Sequence, residues 1–588
     1  MAKAPHNWPT RPIHWPQKTA ECALSISTES GQPFAAALER TLLKRLASWP
    51  DRWVLTGLVL AFSAWVILDV FFLSVSGGIA QTTYDTMVRG RLLTAPHDER
   101  IVIVDIDESA LARMAPEFGR WPWPRDTLAT VLDHIESQNP AAVVWDIVFS
   151  DADRLSPGGD AAMDQAAQRS QHSHFSVVRL PAANDGQSSL SQKHLPSLWA
   201  QTRAADASVE ATVALIPPVL PHVAVKPLGF NNGYVDLDGM LRRYRYFERL
   251  SDGGIIQSLP MSVTQSVDPA AYGYWLTQFQ KKPAPISKPE ATRDDVLIHW
   301  RKTATTYQRV NFADVFEQAD GGQANPRVPS MAGKIVIIGA TAPSLHDTHP
   351  TPLSGTQAGV ESLATGIDNA LHRRAIWELP KWAGAAVAIL MCAGIALWSH
   401  HRSVSSLAPA MLVLPGVLLG IGFASLHTEH VFIDLHLSAG LAVLFLAVLK
   451  FWYTLRKRHW CGDLPDTTEP LAVLPWVSDQ SWSHDQLDRL MAGLQASGKD
   501  CRLVSLDLTP GDNLSARWRP FSPCLAIVGP QAQLLHVQPL LLRAVKGLSV
   551  RQGEVTTLPQ GLSAQDVRLA VTHLALAGWT ALQPPVFS

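Results

Sequence analysis

The residues best placed to do chemistry are acids at the ends of apolar runs. Asp105 and Asp107 close the run Ile101-Val-Ile-Val, and Asp146 lies inside Ala141-Ala-Val-Val-Trp-Asp-Ile-Val-Phe149, with Asp151 and Asp153 soon after. Carboxylates at the carboxyl ends of strands in an open α/β sheet face the crevice where ligands collect. The same residues cap helices and pin loops, because Asp accepts backbone N–H bonds well. Between the two runs stands Gly119-Arg-Trp-Pro-Trp-Pro-Arg125. Pro122 and Pro124 fix alternate φ angles, so the segment is stiff and presents Trp121 and Trp123. Arg120 and Arg125 are placed to stack on those rings or to pair with strand-end acids. A pocket wall and a loop packed onto a sheet both fit this pattern. Gly333-Lys334 precedes an apolar run and Gly339-Ala-Thr341 follows it, which is the reverse of a P-loop.

Composition narrows the field. The chain has 588 residues and a formal charge of −2, so no overall basic field argues for a nucleic-acid partner. Charged residues are 17% and apolar ones 47%, a balance expected when part of a chain sits in lipid. The five cysteines are Cys22, Cys392, Cys461, Cys501 and Cys524, so a disulfide framework between Cys22 and Cys392 is excluded by count. Their spacing has no CxxC pair and no zinc-type His partner, so no metal and no cofactor is expected.

The elements that must position the acids follow from periodicity. Ile101–Asp105 and Lys334–Ile338 read as strands buried on both faces, and Thr127–Ile135 as a helix. Strand 101–105, helix and strand 141–149 form a βαβ unit, with a parallel pair and a right-handed crossover. The stretch from Asp151 to Ser208, rich in Ser, Gln and Ala, reads as a polar excursion outside the core.

Four stretches are long and apolar enough to span a bilayer: 53–75, 382–398, 407–426 and 437–453. Arg40, Lys44, Arg45 and Arg52 precede the first, His400-His-Arg402 joins the second to the third, and Arg456-Lys-Arg458 follows the fourth. The link after Leu426 carries Glu429 and no Lys or Arg. This alternation puts both termini in the cytoplasm and 76–380 outside. The first stretch lacks a small-residue cleavage site, so it reads as an anchor. Asp69, near its outer end, reads as structural because it can reach the interface.

Three motifs together then resemble the CHASE domain of type 2, an extracytoplasmic sensory module of bacterial receptors. They are Val102-Ile-Val-Asp-Ile-Asp107, Gly119-Arg-Trp-Pro-Trp-Pro-Arg125 and Asp146-Ile-Val-Phe-Ser150. Later pieces agree in order: Gly233-Tyr-Val-Asp236, Asp238-Gly239, Arg242-Arg243, Gly333-Lys-Ile-Val-Ile-Ile-Gly-Ala-Thr341, Asp347 with Pro350-Thr-Pro352, and Gly359-Val-Glu361. The resemblance covers about 84–371 and implies one span before the domain, about three after it, and then a cytoplasmic output module. It also draws Asp347 into the set of expected ligand-binding residues, with Asp105, Asp107, Trp121, Trp123, Arg125 and Asp146. One departure stands out. Relatives tend to carry a His soon after the Val-Glu pair, where this chain has Ser362-Leu-Ala-Thr365, so a site shaped by that His would differ here.

The expected architecture is an α/β extracytoplasmic domain inserted between one N-terminal and three C-terminal transmembrane helices, with a small α/β cytoplasmic C-terminal domain. Its parts are a partly disordered cytoplasmic segment 1–52, a span 53–75, the sensor domain 76–380, three spans within 381–455, and the domain 461–588. In the last, Leu471–Leu474, Arg502–Asp507 and Cys524–Val528 read as strands, and 485–494, 533–545 and 564–577 as helices. No cyclase, histidine-kinase or protein-kinase signature occurs there. His484-Asp485 reads as a helix start, and Gly529-Pro530 makes a poor phosphate loop. The expectation is therefore a non-catalytic inner-membrane receptor. Its partners would be the bilayer, a periplasmic ligand or protein, a cytoplasmic protein held through 461–588, and another copy of itself. The alternative is a scaffold subunit of an envelope assembly. An enzyme remains only as an unrecognised inner fold.

Overall fold

The computed structural model describes residue 49 and residues 51–460 apart from 155, 157, 201–211, 251–252, 282–291, 293–294, 304, 375, 401–403 and 429–430. In the C-terminal region it describes 470–478, 490–491, 493–494, 501–505, 524–544, 550–552 and 555–558. The expected segment 1–52 lies almost wholly outside these, as do helix 564–577 and most of helix 485–494.

The central layer is a seven-stranded mixed sheet. β1 (Ile101–Ile106) has β10 (Gln308–Asn311) on one side and β11 (Ile335–Ala340) on the other, both parallel. Beyond β11 come β2 (Ala142–Trp145) and β3 (Ser173–Arg179), again parallel. β3 ends the parallel run, pairing with parallel β5 (Leu228–Phe230) and antiparallel β4 (Leu215–Ile216). Three small antiparallel pairs lie outside this sheet. They join β6 (Arg243–Tyr244) to β9 (Val296–Leu297), β7 (Phe247–Arg249) to β8 (Ile255–Gln257), and β12 (Thr348–His349) to β13 (Gln357–Ala358).

Every residue of β1 and β2 is buried, as the unbroken apolar runs required. Pleating sends alternate residues to opposite faces. Val102, Val104 and Ile106 join a core with α3 (Glu108–Phe118), α4 (Arg125–Glu136), α5 (Gly159–Arg169) and α8 (Phe312–Ala319). Ile101, Ile103, Ile335 and Ile337 join a second core with α6 (Leu259–Val267) and α9 (Gly359–Leu371). Helix α9 is buried from Val360 to Leu371. α7 (Pro269–Lys281) fastens to its end, where the Trp275 indole N–H donates to the Ala370 carbonyl at 2.8 Å.

One expectation fails. The stretch 151–208 is not an excursion: it contributes α5 and the sheet strand β3, with Met163, Phe175 and Val177 in the core. Its polar composition misled because its buried polar groups find partners, several of them far along the chain. Ser173 bonds Ser170 at 2.5 Å, His174 bonds Ser262 at 2.9 Å, and Arg179 pairs with Asp185 and Glu248 at 2.6 and 2.8 Å.

Among the described residues, four helices are long and apolar enough to cross a membrane: Arg52–Leu73, Lys381–Ser399, Leu407–Ser425 and His436–Leu455. The first comprises α1 (Asp51–Leu68) and a π-helical turn Asp69–Leu73. Asp69 closes that turn, accepting from the backbone N–H groups of Val75 and Ser76 at 2.7 and 3.2 Å and from the Ser76 hydroxyl. The others are α10 (Lys381–His400), α11 (Val404–Ser425) and α12 (His436–Trp460). α11 carries Pro409 and Pro415 internally. Before α10, β14 (Trp377–Glu378) pairs in parallel with β15 (Val431–Phe432), the link between α11 and α12.

The C-terminal region holds an antiparallel sheet in which β16 (Leu471–Ser478) pairs with β18 (Cys524–Pro530), β19 (Val550–Gln552) and β20 (Thr556–Thr557). β17 (Arg502–Ser505) pairs with β18. Helix α13 (Gln531–Ala544) adds Leu534 and Val537 to a core with Leu474, Leu503 and Ile527. Gly529 lies within β18, where a Cβ would fall 2.6 Å from Cys501 Sγ, so close packing accounts for this glycine.

Candidate functional site

The strand ends do not gather the expected acids into one place. Asp107 caps α3, accepting from Ala110 N at 2.6 Å and from Asn311 Nδ2 at 2.9 Å. Asp105 is buried beneath an ion cluster. Thr341 Oγ1 donates to it at 2.6 Å, and Arg309 lies 3.5 Å away while also pairing with Glu361 at 2.7 Å. Burial pushes both carboxyls up, and Thr341 and Arg309 oppose it at Asp105. Trp123 is in the core, tilted against Phe312 with ring centres 5.1 Å apart, and Trp121 packs edge-on to it. Arg125 pairs with Asp160 and donates to the Asp151 carbonyl, and its own N–H is held by Asp153. These residues pin loops onto the sheet.

Asp146 and Asp347 are brought together. They line a cleft of about 210 Å³ at the carboxyl ends of β2, β3 and β5, closed from the side by the start of α9. β2 delivers Asp146 directly. Asn231 follows β5, and its Nδ2 donates to Asp146 Oδ1 at 2.5 Å while its Oδ1 accepts from Tyr244 OH at 3.0 Å. Asn232 is clamped to β3, accepting from Arg179 N and donating to Arg179 O at 2.8 and 2.9 Å. His349, the last residue of β12, stands 3.9 Å from Asp347.

The walls need glycine at two points. A Cβ on Gly359 would fall 2.5 Å from Asp347 Oδ2, and one on Gly339 would fall 2.8 Å from Val360 and 3.0 Å from Asp146. Both glycines belong to the motifs singled out in the sequence, and the cleft supplies a physical reason for them.

The electrostatics of the cleft are unusual for this fold. Asp146 Oδ2 is shut from solvent with no hydrogen-bond partner, and so is Ser362 Oγ. Burial, with the Asp347 charge nearby, pushes the Asp146 carboxyl up to about 7, and Asn231 only partly opposes this. Asp347 is also raised, by burial, against the pull of His349. Tyr244 is raised well above its ordinary value, first by burial and then by Asp146, so it stays a neutral donor. Sequence reasoning missed Asn231, Asn232, Tyr244, His349 and Ser362. Of these, only Ser362 lies in a stretch the sequence had singled out, Ser362–Thr365 after the Val360-Glu361 pair.

A second feature joins the cleft to the apolar helices. The segment 231–244 gives Asn231, Asn232, Gly233, Leu241 and Tyr244 to the cleft, and Asp236, Arg242 and Arg243 to a buried ion network on its other side. Arg242 makes a fork with Asp85 at 2.7 and 2.8 Å and also pairs with Asp236 and Asp238. Asp85 lies on α2 (Gly77–Arg89), which follows the first apolar helix. Arg243 pairs with Asp236 at 2.5 Å and with Glu378 at 2.9 Å, just before α10. Arg91 reaches the Leu426 carbonyl at the end of α11 at 2.9 Å.

A family model described as the CHASE2 domain matches residues 58–398. No curated protein and no solved structure matches the chain.

Proposed function

Since the chain belongs to the CHASE2 domain family, a sensory family of receptors, we propose that it is a multi-pass inner-membrane receptor that reads a ligand in the Asp146–Asp347 cleft. The observation that carries this reading is the double role of segment 231–244. Tyr244 and Asn231 face the cleft, while the neighbouring Arg242 and Arg243 hold Asp85 and Glu378, the residues that lead to the first and second apolar helices. A ligand that shifts this segment therefore pulls on both connectors at once. Such coupling needs a differential interaction with two states, and the buried forks supply discrete partners to exchange.

The four apolar helices expose Phe72, Leu390, Leu397 and Leu412, each more than 70% accessible, which suits a lipid-facing surface. With the basic residues around the second-to-third link and after the fourth helix, this favours both termini inside and the α/β domain outside. The region 461–588 would then be the cytoplasmic output, acting by docking rather than catalysis.

Two measurements test the proposal. Reporter fusions at Ser150 and Ser588 should read as outside and inside, respectively, and a cytoplasmic signal at Ser150 would refute the topology. Ser362→Met should fill the cleft. Hydrogen exchange on the full chain in nanodiscs should then change at 77–91 and 377–380. Unchanged exchange there would refute coupling and leave a scaffold.

A further inference from the structure

We propose that the cleft takes a small organic ammonium ion, held between Asp146 and Asp347. This rests on the sensory reading above and gives its ligand a chemical class.

The fold matches its fully buried acids with partners. Asp85, Asp236, Asp185, Glu248, Asp368, Glu361 and Asp314 each have an arginine partner. Asp69, which has none of these, accepts three hydrogen bonds instead. Asp146 has neither solution: one oxygen accepts from Asn231, and the other is shut from solvent without a partner. Among the described residues no Arg or Lys lines the cleft. Asp146 as a whole is only partly buried, but a carboxylate oxygen shut from water without a partner is costly, and it is relieved by a proton or by a cation. Here the cleft is open to the outside, so the cation can come from there.

The donor set selects the kind of cation. An alkylammonium group carries three N–H donors and no acceptor. The cleft presents the carboxylate of Asp347 openly, and in its wall lie two atoms without a partner that a ligand pressed against them would satisfy, Asp146 Oδ2 and the hydroxyl of Ser362, a residue 3% exposed. A resident metal fits less well, since no group of three or more His, Cys, Asp or Glu occurs among the described residues. Leu241, Leu363 and Val148 give the cleft an apolar side for a short carbon chain. A carboxylate or phosphate ligand would meet two acids and no fixed cation.

The proton and the ammonium ion compete for the same oxygens. The titratable groups facing the cleft are Asp146, Asp347, His349 and Tyr244. Tyr244 stays neutral. Asp146 and Asp347 are both raised, so protonation of these carboxyls weakens amine binding as pH falls.

The test uses the full chain in phosphatidylcholine nanodiscs, titrated calorimetrically with ethylamine, ethanolamine and putrescine at pH 6 and pH 8. Propionate, ethylene glycol and magnesium chloride are the comparisons. Saturable binding of at least one amine is expected, weaker at pH 6 by up to about tenfold per pH unit, since one proton is displaced. Binding should be lost in Asp146→Asn and in Asp347→Asn, two variants whose folding is checked by unchanged circular dichroism. No saturable amine binding, or amine binding that survives both variants, would overturn the proposal. Saturable propionate, glycol or magnesium binding that Ser362→Met removes would overturn the ammonium assignment while leaving a ligand-reading cleft in place. Failure of the sensory reading itself is read separately, by the exchange experiment at 77–91 and 377–380.

Discussion

Replacing Asp146 with Asn should flatten the pH dependence of stability in one direction that can be worked out beforehand. The Asp146 carboxyl is raised from 3.8 to about 7 by burial and by Asp347. Below pH 4 it is protonated in both folded and unfolded chains, and it costs nothing. As pH rises toward 7 the unfolded chain releases this proton while the folded chain keeps it, so stability falls. Above about pH 7 both are ionised and the loss is complete. A shift of about three units corresponds to a ceiling of about 4 kcal/mol, at 1.36 kcal/mol per unit. The asparagine side chain is isosteric and keeps the acceptor for Asn231 Nδ2, so the Asp146→Asn variant should lose none of this. The assay is thermal unfolding of both full-length proteins in nanodiscs from pH 4.5 to 8, followed by the fluorescence of tryptophans such as the neighbouring Trp145. Titrating groups remote from the cleft cancel in the difference between the two proteins. About 3 kcal/mol of this falls between pH 4.5 and 8, so at about 2 °C per kcal/mol the variant should gain up to about 6 °C on wild type across that range. Parallel melting curves at every pH would refute the argument that Asp146 is an uncompensated buried acid.

Arg242→Met should cost about 3–5 kcal/mol, read as a lower melting temperature, because it leaves Asp85 buried without its cation. Arg242→Lys should recover only part of this, since a lysine cannot reproduce the fork to Asp85. Gly359→Ala should displace the Asp347 carboxylate, 2.5 Å from the added Cβ, and weaken amine binding measured by calorimetry while leaving circular dichroism unchanged. Asp107→Ala should cost about 1 kcal/mol as a lost helix cap and leave amine affinity as it was.

Much of the fold was legible in the chain because its decisive strands are apolar throughout. β1, β2 and β11 are buried on both faces, and nothing but a parallel sheet between helices explains such runs. The four apolar helices were visible for the same reason, within a few residues of their ends. β3 was not: Ser173, His174, Ser176 and Arg179 look like loop residues until their partners are known. The site was half legible. Asp146 and Asp347 could be picked out by type and motif, but Asn231 reaches them from the segment after β5 and His349 from the short β12–β13 pair, whose placement depends on the whole domain. The Trp121–Arg125 segment left a pocket wall and a packed loop open in the sequence, and the structure shows its side chains in the core and in ion pairs.

The position of β1 has a bearing on how the protein is made. It is the first strand of the sheet to be synthesised, yet both of its neighbours lie far downstream: Val102 faces Gln308 on one side and Val336 on the other. Its two edges therefore stay open until nearly the whole domain has emerged. An unpaired apolar strand is a template for association with other chains, and closing so long a loop is slow compared with local pairing. A nascent chain halted before residue 300 would hold β1 and β2 with the place of β11 empty between them. Such a product should be insoluble or rapidly degraded, whereas one released after α9 has every strand of the sheet it needs.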